Sequence, residues 1–144
     1  MLRSDITEIV SRLGDGAKAF AGKTVLLTGG RGFLGRYFME VFAALNAEIL
    51  EEPVRLVALD NMITAGELGA DVPESEHVEF IKHDVIKPFD FDGPLDYVIH
   101  AAGIASPYYY RAYPLETLEV AISGTRNMLE LAESKGARFT FFSS

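Results

Sequence analysis

Five short, almost continuously apolar runs, separated by segments with helical spacing, restrict the possible folds more than any other feature of this chain. They are TVLLT (24–28), RLVALD (55–60), HVEFIKHD (77–84), which reads instead as an alternating strand, DYVIHAAG (96–103) and ARFTFFSS (137–144). Runs this uniformly apolar do not suit a sheet with one wet face; they suit parallel strands covered on both sides. The intervening segments agree. GFLGRYFMEVFAALN (32–46) places Phe33, Leu34, Phe38, Val41, Phe42 and Leu45 on one helical face. LETLEVAISGTRNMLELAESKG (115–136) is the strongest helix, with Leu118, Ile122, Leu129 and Leu131 expected to point inward and Gly136 expected to stop it. The expected fold class is therefore α/β, a doubly wound parallel sheet. Residues 1–22 form a separate helical extension, with Leu2, Ile6, Ile9, Val10 and Leu13 at helical spacing after an N-cap at Ser4, ended by Gly14 and Gly16. Such a helix either packs on the domain surface or contacts a partner subunit. Residues 23–144 make the main domain, without internal repeat or linker.

Composition narrows the functional classes. With 13 basic and 21 acidic residues the net charge is −8, and no Lys/Arg block offers a footprint for nucleic acid. The absence of cysteine removes disulfides, thiolate metal sites and a cysteine nucleophile. The longest uncharged run, Tyr97 to Tyr110, is 14 residues and contains Pro107; a membrane span takes roughly 20 apolar residues. Charges interrupt LRSDITEIV where a secretory signal needs an apolar core. No membrane association and a cytoplasmic location are expected.

The first strand runs directly into TGGRGFLGR (28–36), which holds four glycines, three of them (Gly29, Gly32, Gly35) spaced G-x-x-G-x-x-G. In a doubly wound sheet this turn lies at a crevice, where a helix N-terminus presents unpaired N–H groups and partial positive charge. The three glycines would supply the sharp turn, a close approach for a pyrophosphate, and tight packing of helix on strand; a tight crossing alone would use glycine too. No Lys-Ser or Lys-Thr pair follows, so this is not a nucleoside-triphosphate loop. Asp60 ends the second strand, 25 residues past Gly35, where a carboxylate could accept bonds from ribose hydroxyls or simply cap a turn. Asp84 could face an adenine amine or stand as a surface aspartate. HAAG (100–103) keeps side chains small where a cofactor would pass, as tight core packing would also require.

Together these residues resemble the extended short-chain dehydrogenase/reductase family, the branch of nucleotide-sugar epimerases, dehydratases and decarboxylases. TGGRGFLG is similar to its glycine turn, LDN to its ribose contact, HDV to its adenine contact, VIHAAG to its fourth-strand motif, SGTRNMLELA to the helix that follows, and FFSS to the start of its catalytic strand. The resemblance spans residues 23–144 and implies a Rossmann-type fold binding NAD. Within the branch, HAAGIASPYYYRAYPLETLE is most like UDP-glucuronate decarboxylases and related dehydratases. It implies that Gly29, Gly32 and Gly35 hold the pyrophosphate, with backbone N–H groups of Phe33 and Leu34. It places Asp60 and Asn61 at the adenosine ribose, Asp84 and Val85 at the adenine, and Ala101, Ala102 and Gly103 along the path to the nicotinamide. Ser143 and Ser144 fall in the run that contributes a catalytic hydroxyl, and Ser144 is the candidate.

Two departures stand out. AISGT places Ala121 where the family often has asparagine. The sequence reaches Ser144 before the Tyr-x-x-x-Lys pair and substrate region that the resemblance implies. The expected function is the NAD-binding portion of such an enzyme, inactive by itself; the alternative is a non-catalytic dinucleotide sensor or interaction module. The partners expected are a nucleotide-sugar substrate for the complete enzyme and a second copy in a homodimer. Asp60 would repel a 2′-phosphate, so NAD is expected over NADP, with Arg31 the opposing feature. Tyr108, Tyr109, Tyr110 and Tyr113 read as an aromatic loop over the crevice. His83 and His100, inside strands and without partners at metal spacing, read as core or edge residues, and no metal site is expected.

Overall fold

The computed structural model describes residues 3–64 and 75–143; Leu2 and Ser144 lie outside the described residues. Five strands, β1 (Thr24–Thr28), β2 (Arg55–Asp60), β3 (Val78–Lys82), β4 (Tyr97–His100) and β5 (Arg138–Phe141), form one sheet in the order β3-β2-β1-β4-β5, with every neighbouring pair parallel. The chain leaves β1 in one direction to reach β2 and β3, then returns to the other side of β1 for β4 and β5. This reversal opens a crevice beyond the carboxyl ends of β1 and β4.

Alternate residues of the strands feed two cores. Val25, Leu27, Leu56, Ala58 and Ile99 face α2 (Phe33–Glu48), through its Met39, Val41, Phe42 and Leu45. Leu26, Val57, Leu59 and Val98 face Val120, Met128 and Ala132 on the other side. Every residue of β1 is buried, as a central strand between two helical layers requires. Asp96 ties the amino ends together: its Oδ2 accepts the Thr24 N–H at 2.9 Å and its Oδ1 the Lys23 ammonium at 3.0 Å. The Thr24 N–H and, after it, Lys23 hold the Asp96 carboxyl below its ordinary value. At the far end of α2, Asn46 exchanges two 2.8 Å bonds with the backbone of Val54, setting the entry to β2.

The amino-terminal segment is α1 (Arg3–Leu13) followed by a 3-10 helix (Gly14–Phe20). Ile6, Ile9 and Val10 pack against the α2 core, Phe20 meets Phe42 and Tyr97 edge-on or tilted, and the Tyr37 hydroxyl donates to Asp5 at 2.9 Å. Ser4 does not cap α1, which already includes Arg3; its hydroxyl is 3.4 Å from Asp5 Oδ1.

The second long helical segment is not one regular helix. Two short helices, α3 (Pro107–Ala112) and α4 (Pro114–Glu119), lead into a π-helical turn (Val120–Gly124) and then α5 (Thr125–Lys135), which ends at Gly136 in the left-handed region (φ +66°). The wider turn shifts the angular register, so three of the four residues expected inward are displaced, while Leu131 packs half-buried against the core as expected. Leu118, Ile122 and Leu129 are 57%, 53% and 50% exposed, and the buried positions are Val120, Gly124, Met128 and Ala132. Phe33 and Leu34 likewise do not join the α2 core. Being at the first turn, they stand exposed and border an apolar groove of about 420 Å³ shared with Ile9, Leu13 and Phe142. Tyr108 to Tyr110 belong to α3 rather than to a loop over the crevice.

The inverted face has a measurable consequence. Met128→Ala is expected to lower unfolding stability by about 2–5 kcal/mol, the range for opening a cavity in a packed core, whereas Ile122→Ala should cost under about 1 kcal/mol. Urea unfolding of the two variants checks this; equal losses would restore the regular-helix face.

Candidate functional site

The glycine turn builds one wall of the crevice from backbone. Gly29 has φ +74°, and a Cβ there would come within 2.7 Å of the Ala101 carbonyl oxygen. Its N–H and that of Gly30 both donate to the Leu59 carbonyl, at 2.8 and 3.1 Å. A Cβ on Gly35 would collide with the Gly29 carbonyl and stand 2.7 Å from Gly30, so α2 rests directly on the turn. Gly32 is different: it is the N-cap of α2, lines the crevice, and a Cβ there would meet only the Gly29 oxygen at 3.2 Å. The first helical bond of α2 runs from the Arg36 N–H to the Gly32 carbonyl, leaving the N–H groups of Phe33, Leu34 and Gly35 without intrahelical acceptors. Here the helix offers donors and partial positive charge.

Opposite stand Asp60 and Asn61 at the end of β2. Asp60 Oδ2 accepts the Arg31 N–H at 2.8 Å and Oδ1 the Met62 N–H at 2.7 Å, while Asn61 Oδ1 accepts the Ile63 N–H at 3.1 Å. These bonds hold both side chains at the mouth, and Met62 takes a left-handed φ of +69° to make the turn. The remaining walls are Leu59, Ile63, Thr64, His83, Val85, Ala101, Ala102, Gly103, Ile104 and Val120.

The crevice thus brings together Gly29, Gly32, Asp60, Asn61, Val85, Ala101, Ala102 and Gly103. Asp84 is not among its lining residues: its Oδ1 accepts the Ile86 N–H at 3.2 Å, the work of a turn cap. His83 lines the crevice instead, just past the end of β3, with Nε2 3.1 Å from the Lys87 carbonyl and its ring 4.9 Å from that of Phe89. None of the tyrosines of 108–113 lines it. A Cβ on Gly124 would come within 2.8 Å of a Val85 methyl, so glycine lets the π-helical turn pack on Val85, and Asn127 Nδ2 donates to the Val85 carbonyl at 2.9 Å, fixing this wall from behind. Ala121 is exposed. Among the described residues no three His, Asp or Glu side chains gather to hold a metal ion, and no helix is long and apolar enough to cross a membrane.

A polar chain beneath the crevice escaped the motif reading. Thr28 Oγ1 lies 2.7 Å from His100 Nδ1 and accepts the Ala102 N–H at 3.1 Å, while Thr125 Oγ1 lies 3.2 Å from His100 Nε2. It joins β1, β4 and α5 to the loop that forms the crevice floor. His100 is fully buried, and burial lowers its pKa to about 4, so the ring is neutral at physiological pH. The signal for it was a threonine ending one buried strand and a histidine ending its neighbour, a pair that needs the strand order to be recognised.

The geometry suits a dinucleotide: unpaired N–H groups where a pyrophosphate needs them, a carboxylate at the adjacent strand end, and a floor free of large side chains. The sequence profile of the NAD dependent epimerase/dehydratase family matches residues 25–144. The chain belongs to that family. It is 31% identical over 121 residues to UDP-glucuronic acid decarboxylase 1 of Arabidopsis thaliana, covering 83% of this chain and 26% of that protein. It is 32% identical over 123 residues to UDP-glucuronic acid decarboxylase 1 of Xenopus tropicalis, covering 85% and 27%. Among solved structures, an epimerase from Methanothermobacter thermautotrophicus superposes with a TM-score of 0.71 at 30% identity, over 93% of this chain and 39% of that one. The Bordetella bronchiseptica enzyme WbmF, solved with NAD+, shares the fold with a TM-score of 0.63 at 21% identity, over 86% and 37%. The chain spans about a quarter of the length of these two curated relatives. NAD is the cofactor of the family, and the Rossmann-type sheet expected from the sequence is the observed one.

The buried imidazole makes stability depend on pH. On unfolding, His100 regains a pKa near 6.5, so between pH 6.5 and about 4 the unfolded chain binds a proton that the folded chain does not. Its contribution is full above 6.5 and declines as pH falls through this window, by on the order of 3 kcal/mol at its lower end. Asp96, depressed below 3.8, acts only at lower pH. Urea midpoints from pH 7.5 to 4.5 should therefore fall more steeply for the native chain than for His100→Gln; parallel profiles would remove His100 as the source.

Proposed function

We propose that residues 23–144 are the NAD-holding unit of a nucleotide-sugar-modifying enzyme of the decarboxylase, dehydratase and epimerase kind, with 1–22 as a helical extension packed on it. The observation that carries this reading is the meeting, in one crevice, of the bare α2 N-terminus at Gly32 with the oriented carboxylate of Asp60. In it, Gly32 and the N–H groups of Phe33 and Leu34 hold the pyrophosphate. Gly29 and Gly35 make the turn and crossing that put them there. Asp60 and Asn61 accept the adenosine ribose hydroxyls, Val85 flanks the adenine with Asp84 at the rim, and Ala101, Ala102 and Gly103 leave room toward the nicotinamide. NAD when bound supplies reversible oxidation of a sugar hydroxyl; these residues bind and orient it. Ser144 would meet the substrate oxygen. The relatives' names favour a UDP-sugar, UDP-glucuronate first. A second copy would pack on the exposed stripe of Leu118, Ile122 and Leu129. The acidic, cysteine-free composition favours a cytoplasmic setting without nucleic-acid partners.

Gly32→Val tests the placement. It should weaken NAD at least about tenfold by filling the approach to the helix end, while thermal unfolding of the free protein shifts little. Equal NAD affinity in the two proteins, measured by calorimetry, would move the pyrophosphate elsewhere.

Catalysis makes a separate demand. Removing a hydroxyl proton at pH 7 needs an activated base, and free tyrosine, with pKa about 10, is mostly protonated. None of the six tyrosines in these 144 residues is followed four places later by lysine. The 144-residue chain is therefore expected to bind NAD yet yield neither NADH absorbance nor a new product from UDP-, dTDP- or GDP-sugars. Turnover would place the base among the residues in hand, with Tyr108 to Tyr113 the first to substitute.

A further inference from the structure

The first turn of α2 is held on one side only by its own residues. On its inner side Gly35 rests on the glycine turn. On its outer side Phe33 and Leu34 stand 70% and 45% exposed, and the N-cap, Gly32, offers no side-chain hydrogen bond. Glycine at the cap and at the third helical position gives this turn high backbone entropy and a weak intrinsic preference for helix. Yet it carries the unpaired N–H groups of Phe33 and Leu34. Outer support arrives one turn further on. The Phe33 ring meets that of Tyr37 edge-on, with centroids 5.4 Å apart, and the Tyr37 hydroxyl donates to Asp5 Oδ2 of α1 at 2.9 Å. That bond raises the Tyr37 hydroxyl above its ordinary pKa, so it stays a donor at physiological pH. Asp5, Tyr37 and Phe33 therefore make a continuous line of contact from α1 to the start of α2. α1 depends on α2 in turn. None of its residues is fully buried, Ile6, Ile9 and Val10 pack half-buried against the α2 core, and a helix of 11 residues is marginal in water by itself. Its docking is thus a local equilibrium of low free energy. α1 also precedes residue 25, where the match to the family profile begins.

We propose that Tyr37 is a positioning residue for the dinucleotide: held by Asp5, it braces the first turn of α2 through Phe33, so that docking of α1 and binding of NAD favour each other. This rests on the dinucleotide reading above. A frayed first turn must be ordered before its N–H groups can meet a pyrophosphate, and that ordering subtracts from affinity. The brace supplies part of the order in the free protein. By linkage the coupling is reciprocal: whatever docked α1 adds to NAD affinity, bound NAD adds to the docking of α1. The Asp5 charge acts in the opposite sense, because a carboxylate near the start of a helix competes with an anion bound there. It is attached at the far end of the Tyr37 ring, half-buried, and salt at about 0.15 M screens such charges over about 8 Å. The hydrogen bond therefore outweighs the charge.

The test is calorimetric titration with NAD, at about 0.15 M salt, of the 144-residue chain, of Tyr37→Phe, Asp5→Ala and Asp5→Asn, and of the Tyr37→Phe, Asp5→Ala double variant. Tyr37→Phe and Asp5→Ala should each weaken NAD by about fivefold, and the double variant by no more than either, because all three remove the same bond. Asp5→Asn, which keeps an acceptor and removes the charge, should stay within about twofold of the wild type. Amide exchange over residues 3–13 should slow when NAD saturates the wild type, and slow less in Tyr37→Phe. Urea unfolding of the free proteins reports that each variant is folded and separates support of the fold from support of the site. Variants that lose stability yet bind NAD as the wild type does would make the Tyr37–Asp5 bond merely structural and overturn the proposal. Tighter binding by Asp5→Ala would overturn it too, as would exchange in α1 of the wild type that is indifferent to NAD. Failure of the wild type to bind NAD would remove the dinucleotide reading itself, and this proposal with it.

Discussion

Contact of backbone on backbone where α2 meets the turn after β1 is the constraint on which the rest depends. Gly35 touches Gly29 and Gly30, and Gly29 in turn touches Ala101 and Ala102, so the first helix, the first strand and the end of the fourth strand meet with no side chain between them. A Cβ at Gly35 would lift the helix off the sheet and withdraw Met39, Phe42 and Leu45 from the core they fill. The same closeness brings Gly32, the N-cap of α2, to the wall of the crevice. Packing and ligand binding therefore draw on one structural economy, the removal of side chains from a single crossing, and Gly32 is the position where packing asks least and the open crevice most.

Beneath that crossing the sheet is joined by polar groups rather than by apolar contact. Thr28, His100 and Thr125 connect two strands and a helix in a region that is otherwise hydrocarbon. A buried imidazole is held neutral at the expense of its affinity for protons. What it supplies is direction: a hydroxyl fixed by the imidazole accepts the Ala102 N–H, and the loop of Ala101 to Gly103 leaves β4 at a set angle. Leucine at position 100 would fill space but leave the Thr28 hydroxyl without this partner in a buried site, the situation that makes half-satisfied networks costly.

The parts legible in the sequence were those in which one residue type answers one demand. β1, β2 and β4, largely buried, read as apolar runs, and each of the five runs contains a strand with ends shortened by up to a few residues, but the outer strands β3 and β5 are mostly half-buried or exposed rather than covered on both faces. Glycines in the first turn read as backbone contact, and the left-handed Gly136 ends α5 where expected. The inward face of the α4–α5 segment was illegible because the π-helical turn at Val120–Gly124 breaks the spacing on which such a reading rests. Phe33 and Leu34 obey helical periodicity but lie in the first turn, beyond the edge of the core. At the crevice, His83 lines the wall while its neighbour Asp84 caps the Ile86 N–H, an orientation after a strand end that periodicity does not resolve. The Thr28–His100 pairing depends on β1 lying beside β4, information held in the strand order and not in either segment.

Asp60 shows why two readings of one residue need not compete. From the sequence it could be a turn cap or an acceptor for ribose hydroxyls. Its oxygens each take one backbone N–H, from Arg31 and from Met62, which is capping in full. An ionised carboxylate has about four acceptor positions, so two bonds leave about two more for a ligand. The caps do more than coexist with that role: by tying the carboxylate to the glycine turn on one side and to its own loop on the other, they remove rotamers that a free aspartate would have to give up on binding. They also couple the two halves of the crevice, since the N–H that orients Asp60 belongs to the residue preceding Gly32. A substitution at Asp60 therefore disturbs the turn as well as the proposed ribose contact, and loss of ligand affinity there would measure both. Gly32, the N-cap of α2 whose added Cβ would meet only the Gly29 oxygen, separates binding from folding more cleanly.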